Sequence, residues 1–240
     1  CARDRAREDI NKRFLGIVLA PGLLQDEGIS AVLDRVAATG AQAISTTPGL
    51  VRPASPATGR REPPLDIDGY ERLLDRPLWG QRELYLENLR AHDWEEHVFA
   101  DTPYRPGGAL APASPDAWGA TRDLPRRTIA EAHARGLAAH LQLSPTSIAR
   151  LRAEDQIRYI DGSLPDPARR VARQGCLNSP AVRAYIVAQV RDTVRHYPEC
   201  DGLFFDWIEY TVYAIEDYWG CACPPPVGAA RVAAILPWLA

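Results

Sequence analysis

The stretch "SPAVRAYIVAQVRDTVRHYPECDGLFFDW", residues 179–207, contains one predicted helix and one predicted strand in succession. Ser179 is a preferred helix N-cap residue, and Pro180 suits the first helical position. The predicted buried face of the helix consists of four residues at helical spacing: Val182, Ile186, Val190 and Val194. The apolar run that follows predicts a strand that ends on a carboxylate, Asp206. This unit therefore predicts a helix that packs on a sheet and feeds the next strand of that sheet.

The same alternation of helix and strand recurs upstream. "RFLGIVLAPG" predicts a strand within Phe14–Ala20 that is buried on both faces, and "AQAIST" (41–46) predicts a second strand. Apolar residues at 29, 32, 33 and 36 predict the helix between them. A helix over Pro125–Arg135 leads into a third strand, "LAAHLQL" (137–143). Near-continuous apolar strands that alternate with amphipathic helices indicate a parallel sheet of βα units.

The fold class predicted from this pattern is α/β, of the (β/α)8 TIM-barrel type. Four strands cannot close an eight-stranded barrel, so we expect an incomplete, N-terminal half barrel with long βα loops. The predicted parts are a charged leader (1–13), a partial (β/α) barrel domain (14–220) and an atypical Cys/Pro-rich tail (221–240). Unpaired barrel edges would favour oligomerisation.

Two long inserts interrupt the alternation. The region from Thr47 to Leu124 is irregular and rich in proline, arginine and tryptophan, and it is predicted to be a functional excursion with partial structure. A second insert follows the third strand. Both inserts leave the C-terminal ends of strands, which form the active face of barrel enzymes.

Composition excludes several classes of partner. With 28 basic and 31 acidic residues the net charge is −3, which disfavours nucleic acid. Apolar runs fall well short of the roughly 20 residues of a membrane helix, so we expect a soluble protein with no membrane partner. The chain begins with cysteine and contains no methionine. Residue 1 is therefore not expected to be the natural start of translation, and the compartment stays open between the cytoplasm and export through a signal that this chain does not contain.

The sequence predicts no cofactor and no metal. Cys221 and Cys223 are the only close pair among five cysteines, and they lack the second pair of a structural zinc site. No glycine-rich phosphate-binding motif and no nucleophile-elbow motif occurs.

Asp206 and Glu209 are the predicted catalytic residues. Asp206 lies where a strand leaves the core and shares a face with Phe204, so its charge can point into a barrel mouth. Glu209 follows one turn later. Two carboxylates at one mouth are what glycoside hydrolysis requires, one as acid and one as nucleophile or base. The alternative is that Asp206 caps the next segment or pairs with an arginine.

The predicted substrate-binding residues surround this mouth. His140 and Gln142 alternate onto one face of the third strand, and aromatic and bidentate polar groups suit polyhydroxylated rings. The full predicted set is His140, Gln142, Trp79, Arg82, Glu83, Trp207 and Tyr210, and Trp94 can add stacking surface. Loop-core packing of the tryptophans and a hydrogen-bonded core role for His140 are the alternatives.

Four motifs resemble those of a group of bacterial glycoside-hydrolase-like TIM-barrel proteins. They are "RLLDRPLWGQRELY", "GSLPD", "CLNSPAVRAYIVAQVRD" and "YPECDGLFFDWIEY". The resemblance implies a barrel fold and marks Asp206 as the acidic residue that ends the fourth strand. It also marks Asp201 and Gly202 as the turn into that strand, and Glu209 matches the Asp-Trp-x-Glu-Tyr form of the group. The tail "CACPPPVGAARVAAILPWLA" departs from the group, which suggests a chain cut or frame-shifted near Cys223.

The leading functional prediction is a glycoside hydrolase that acts on a poly- or oligosaccharide by carboxylate acid/base chemistry. One alternative is a non-catalytic carbohydrate-binding or structural barrel fragment. The other is a metal-dependent hydrolase that uses His140 and Asp206, which is disfavoured because no H-x-H or H-E-x-x-H spacing accompanies these residues.

Overall fold

The computed structural model describes residues 14–54, 60–62, 84–159, 162–164 and 174–206. The elements along these ranges are β1 (Gly16–Val18), α1 (Pro21–Glu27), α2 (Ile29–Ala38), β2 (Ala43–Thr46), β3 (Gly49–Pro53), β4 (Arg60–Glu62), β5 (Leu84–Arg90), β6 (Ala109–Leu110), α3 (Leu124–Ala134), β7 (Ala138–Leu143), α4 (Pro180–His196) and β8 (Gly202–Phe205). Short 3-10 turns cover Glu96–Phe99 and Ala153–Asp155.

The main sheet is parallel, with the strand order β1-β2-β7-β8. Ala43 of β2 pairs with Gly16 of β1 and with Ala138 of β7, while His140 of β7 pairs with Gly202 of β8. Each strand therefore lies beside the strand of the next βα unit. These are the four strands predicted from the sequence, which confirms a mixed α/β fold with a parallel sheet. Within the described ranges the sheet is open rather than closed into a barrel.

A second sheet occupies the long insert after β2. β5 pairs antiparallel with β3 and β4 and parallel with β6. This small sheet supplies the partial structure that was expected of the excursion. Its first strand comes directly after β2, so the small sheet lies at the C-terminal edge of the main sheet.

Proline lies in the first turn of α1, α3 and α4. The helix α1 was not predicted from the sequence. The predicted helices α2 and α3 are confirmed. They are followed by Gly40 at φ +79° and Gly136 at φ +72°, a backbone conformation that glycine adopts without strain. None of the helices in the described ranges is long and apolar enough to cross a membrane.

The larger core lies between one face of the main sheet and the helices. Its central members are fully buried side chains from α2, β2, α3 and β7: Leu33, Ile44, Ile129 and Leu141. The smaller core joins α4 to the loop after β5 through Phe99, Tyr104, Val182 and Tyr185. The described residues thus form two apolar clusters, and α4 belongs to the second.

Two burial predictions are wrong. Val18 of β1 is 59% exposed, so β1 is not buried on both faces; it is an edge strand that pairs only with β2 in the described sheet. Val194 of α4 is 48% exposed. At about 100° per residue, three steps of four residues rotate position 194 by about 120° away from Val182. The buried face therefore passes instead through Tyr185, Ala188 and Asp192.

Truncation of the larger core should destabilise the fold. Leu141 is fully buried, so Leu141→Ala is expected to lower the free energy of unfolding by about 2–5 kcal/mol in urea denaturation. The control is Val187→Ala on α4, where the side chain is 47% exposed and the change should stay within about 0.5 kcal/mol. Equal losses in the two variants would contradict this description of the core.

Candidate functional site

One face of the main sheet carries polar side chains near its C-terminal edge. Ala139 and Leu141 of β7 pack into the larger core, so His140 and Gln142 project from the opposite face. Ser45 of β2 pairs with His140 in register and projects from that same face. We call this the inner face. The sequence prediction that His140 and Gln142 share one face agrees with this arrangement.

Gly202 allows His140 its position on the inner face. A Cβ atom built on Gly202 would lie 3.0 Å from Cδ2 of His140, closer than most real Cβ contacts. The Asp-Gly pair before the strand therefore provides space for the imidazole ring on the neighbouring strand.

Asp206 follows β8 at the edge of this face. Its backbone N–H donates to the carbonyl oxygen of Leu143 at 2.9 Å, which continues the parallel ladder by one residue. Its side-chain Oδ2 accepts a hydrogen bond from Nε2 of Gln142 at 2.8 Å. Gln142 therefore orients the carboxylate of Asp206, and the remaining amide oxygen of Gln142 is buried without a hydrogen-bond partner in the described structure.

Three of the nine predicted site residues fall within the described residues: Asp206, His140 and Gln142. All three occur on β7 or directly after β8, at the C-terminal edge of the sheet. The other six lie outside the described residues: Glu209, Trp79, Arg82, Glu83, Trp207 and Tyr210.

A cavity of about 580 Å³ lies beside this edge. Its polar and aromatic wall includes Asn88, His92, Trp94, Tyr185, Gln189 and Asp192, together with Glu87, Arg90, Ser147 and Thr193. Leu143 also lines the cavity, and it alternates with Gln142 along β7. The cavity and the Gln142–Asp206 pair therefore lie on opposite faces of the strand. Sequence analysis identified only Trp94 among these wall residues.

A histidine–aspartate group forms part of the cavity wall. Nε2 of His92 lies 2.8 Å from Oδ2 of Asp192, and Nδ1 of His196 lies 3.6 Å from Oδ1 of the same carboxylate. The two imidazole rings stack with their centroids 4.0 Å apart. The hydroxyl of Tyr197 lies 3.3 Å from Nδ1 of His92, and burial raises the pKa of Tyr197, so this group remains a hydroxyl.

This group is the set of three metal-capable side chains found among the described residues, and it contains neither His140 nor Asp206. The hypothesis of a metal centre built on those two residues therefore gains no support from the described structure. The i, i+4 spacing of Asp192 and His196 on α4 is a sequence signal for a shared helix face. No local sequence pattern predicts that His92, in the loop after β5, joins this group.

A buried carboxylate, Asp155, forms hydrogen bonds that hold the loops around the cavity together. It accepts hydrogen bonds from the hydroxyl of Ser179 at 2.5 Å, from the guanidinium of Arg152 at 2.6 Å and from the hydroxyl of Tyr104. Burial raises the pKa of Asp155, but the hydrogen bonds from Ser179, Tyr104 and Arg152 outweigh burial and hold that pKa below its usual range. Sequence analysis did not identify this network.

Comparison with known proteins gives two structural neighbours. No family model matches the chain, and no curated protein matches it. The structure is similar to a noncanonic maltogenic alpha-amylase, AmyB, from Thermotoga neapolitana, with a TM-score of 0.43 and 13% identity over 83% of this chain and 40% of that chain. It is also similar to a mutant of Kfla1895 in complex with cyclobis-(1->6)-alpha-nigerosyl, with a TM-score of 0.35 and 18% identity over 83% of this chain and 26% of that chain. The chain thus spans less than half the length of either protein, and neither likeness assigns a residue or a reaction to it.

The Asp155 network should give stability a specific pH dependence. A carboxylate whose folded pKa is depressed stabilises the fold above its unfolded pKa of about 3.9, and this contribution is lost as pH falls through the folded pKa. We expect Asp155→Asn to lower the free energy of unfolding by about 1–3 kcal/mol at pH 7, with a deficit that shrinks below about pH 4.

The control for this prediction is Glu154→Gln, one residue earlier, whose side chain is 65% exposed. It should change stability by less than about 0.5 kcal/mol at either pH. A deficit in Asp155→Asn that stays constant from pH 7 to pH 3, measured by urea denaturation, would contradict the assignment of an ionised, hydrogen-bonded Asp155.

Proposed function

We propose that this protein is a glycoside hydrolase that acts on an oligo- or polysaccharide, with Asp206 as a catalytic carboxylate. The observation that carries the proposal is the position of Asp206 at the C-terminal end of β8, with its carboxylate held by Gln142 at 2.8 Å. Parallel α/β sheets bind their ligands outside the C-terminal ends of the strands.

The chemistry of this edge suits a sugar substrate. A carboxylate held by an amide can act as nucleophile or base in glycoside hydrolysis, and the second carboxylate of such a pair is the acid. Glu209 is the proposed acid, three residues after Asp206. His140, on the same face as Gln142, supplies a further polar group for a substrate hydroxyl.

The cavity supports a second candidate function, carbohydrate binding without catalysis. Its volume is within the usual range for small-ligand sites, and its wall combines the indole of Trp94 with the amides of Asn88 and Gln189. Trp94 also packs on Phe99, with ring centroids 5.9 Å apart, so one part of this ring is structural. Saccharide binding without turnover in the assays below would favour this function over hydrolysis.

Asp206→Asn should abolish turnover while it preserves the fold. We expect kcat on aryl glycosides to fall by about 10²–10⁴-fold, because asparagine keeps the shape but can neither attack nor accept a proton. The control is Asp26→Asn, an exposed aspartate on α1, which should leave kcat unchanged. Unchanged turnover in Asp206→Asn, with wild-type circular dichroism, would remove Asp206 from the mechanism.

Gln142 variants test whether the amide orients Asp206. Gln142→Glu places a second carboxylate where the Gln142 amide now lies 2.8 Å from Asp206. Two negative charges so close repel each other, so the pair takes up its first proton at a higher pH. We expect the acid limb of kcat/KM against pH to move upward by about one unit or more. Gln142→Leu removes a hydrogen bond to the carboxylate but adds no charge, so it should lower kcat/KM and move that limb upward by less than Gln142→Glu does. An unmoved acid limb in Gln142→Glu would contradict the contact.

A further inference from the structure

We propose that His92, Asp192 and His196 form a binding site for a divalent transition metal in the wall of the cavity, with zinc as the probe metal. The proposal rests on residues that the glycosidase proposal does not use. These residues lie at the cavity, on the other face of β7 from Gln142 and Asp206.

The three side chains lie close together. One ligand atom from each lies within 4.8 Å of the other two. Asp192 and His196 are one helical turn apart on α4, so they share a face, and His92 reaches them from the loop after β5. Zinc bonds of about 2.0–2.2 Å in a tetrahedral site bring ligand atoms to about 3.3 Å from one another. The 2.8 Å between His92 Nε2 and Asp192 Oδ2 is close to that spacing.

Asp192 offers a buried carboxylate to a cation at this group. Its carboxylate is buried, and its ion-pair partners in the described part of the chain are the two histidines rather than an arginine or lysine. The backbone N–H of Glu95 approaches it at 3.5 Å. Neutral imidazoles beside a buried carboxylate are the donor set that zinc and related divalent ions take in proteins.

Tyr197, the neighbour of His92 at Nδ1, is compatible with metal binding through Nε2 of His92. A neutral histidine that binds a metal through Nε2 carries its proton on Nδ1, and this N–H then needs an acceptor. The hydroxyl oxygen of Tyr197 lies 3.3 Å from Nδ1 of His92 and can accept that hydrogen bond. Tyr197 would therefore orient the ring from behind, as outer-shell partners of zinc ligands do.

Metal binding requires a local rearrangement. In the structure the two imidazole planes are inclined by only 24°, so their lone pairs do not meet at one point, and a hydrogen bond joins His92 to Asp192. The metal would replace the proton in that hydrogen bond, and one ring would rotate about its χ angles. His196 is the ring that would turn, because its side chain is 25% exposed, and the 3.0 Å contact of its Nδ1 with the backbone carbonyl oxygen of Asp192 would then break.

Three protein ligands leave a fourth position open, which is the arrangement of zinc sites that bind an exogenous ligand. His92 and Asp192 both line the cavity, so the open position would face it. A bound metal would then present a water molecule, or an oxygen of a ligand, to the interior of the cavity.

Calorimetric titration of the chain with Zn²⁺ tests the site. We expect one equivalent to bind, and we expect His92→Ala, Asp192→Asn and His196→Ala each to weaken the affinity by at least about 10-fold. The matched control is His133→Ala, since His133 Nε2 forms an equivalent 2.8 Å contact with Asp201 on the surface but lies outside this group. His133→Ala should bind zinc as the wild type does. His196→Ala is the mildest of the three variants because its ring is partly exposed, and circular dichroism checks that each variant is folded.

X-ray absorption at the zinc edge separates this site from the cysteines. Nitrogen and oxygen ligands at about 2.0–2.1 Å are expected, whereas a shell at about 2.3 Å would indicate cysteine sulfur. A sulfur shell, an absence of binding, or undiminished affinity in a folded His196→Ala variant would overturn the proposal. Because Asp206→Asn should bind zinc normally, this outcome is independent of whether the protein hydrolyses glycosides.

Discussion

The arrangement of the two inserts and the start of α4 depends on one interaction, the hydrogen-bonded carboxylate of Asp155. It is buried, and it accepts hydrogen bonds from three separate segments: Tyr104 in the first insert, Arg152 in the second and Ser179 at the start of α4. A buried charge is tolerated only when such partners replace its water. Here the requirement for partners fixes two long loops and a helix end relative to one another.

The position of α4 follows from that anchor. Ser179 accepts a hydrogen bond from the backbone N–H of Val182 at 3.3 Å while its own hydroxyl donates to Asp155, so one side chain both caps the helix and ties it to the loop. The first turns of α4 pack on Phe99 and Tyr104, and in its last turns Asp192 lines the cavity next to His196. The helix therefore links the anchored loops to the histidine–aspartate group.

The parallel sheet separates two candidate sites by simple alternation. Gln142 and Leu143 are neighbours on β7, yet one orients Asp206 on the inner face and the other lines the cavity on the opposite side. Successive side chains of a strand point to opposite faces, so a single strand end serves both sites without overlap. Hydrolysis at Asp206 and metal binding at Asp192 are thus chemically independent proposals on one scaffold.

The main strands, the helices α2 and α3, the Ser179 cap and the placement of His140, Gln142 and Asp206 at one edge could be predicted from the amino-acid sequence, because periodicity, caps and strand ends are local signals. The buried face of α4, and the position of β1 as an edge strand with Val18 exposed, follow instead from tertiary packing. Tertiary packing alone decided that His92 meets Asp192 across 100 residues of sequence, and that Asp155 joins three segments. These contacts depend on how the loops close over the sheet, and loop closure leaves no periodic pattern in the chain.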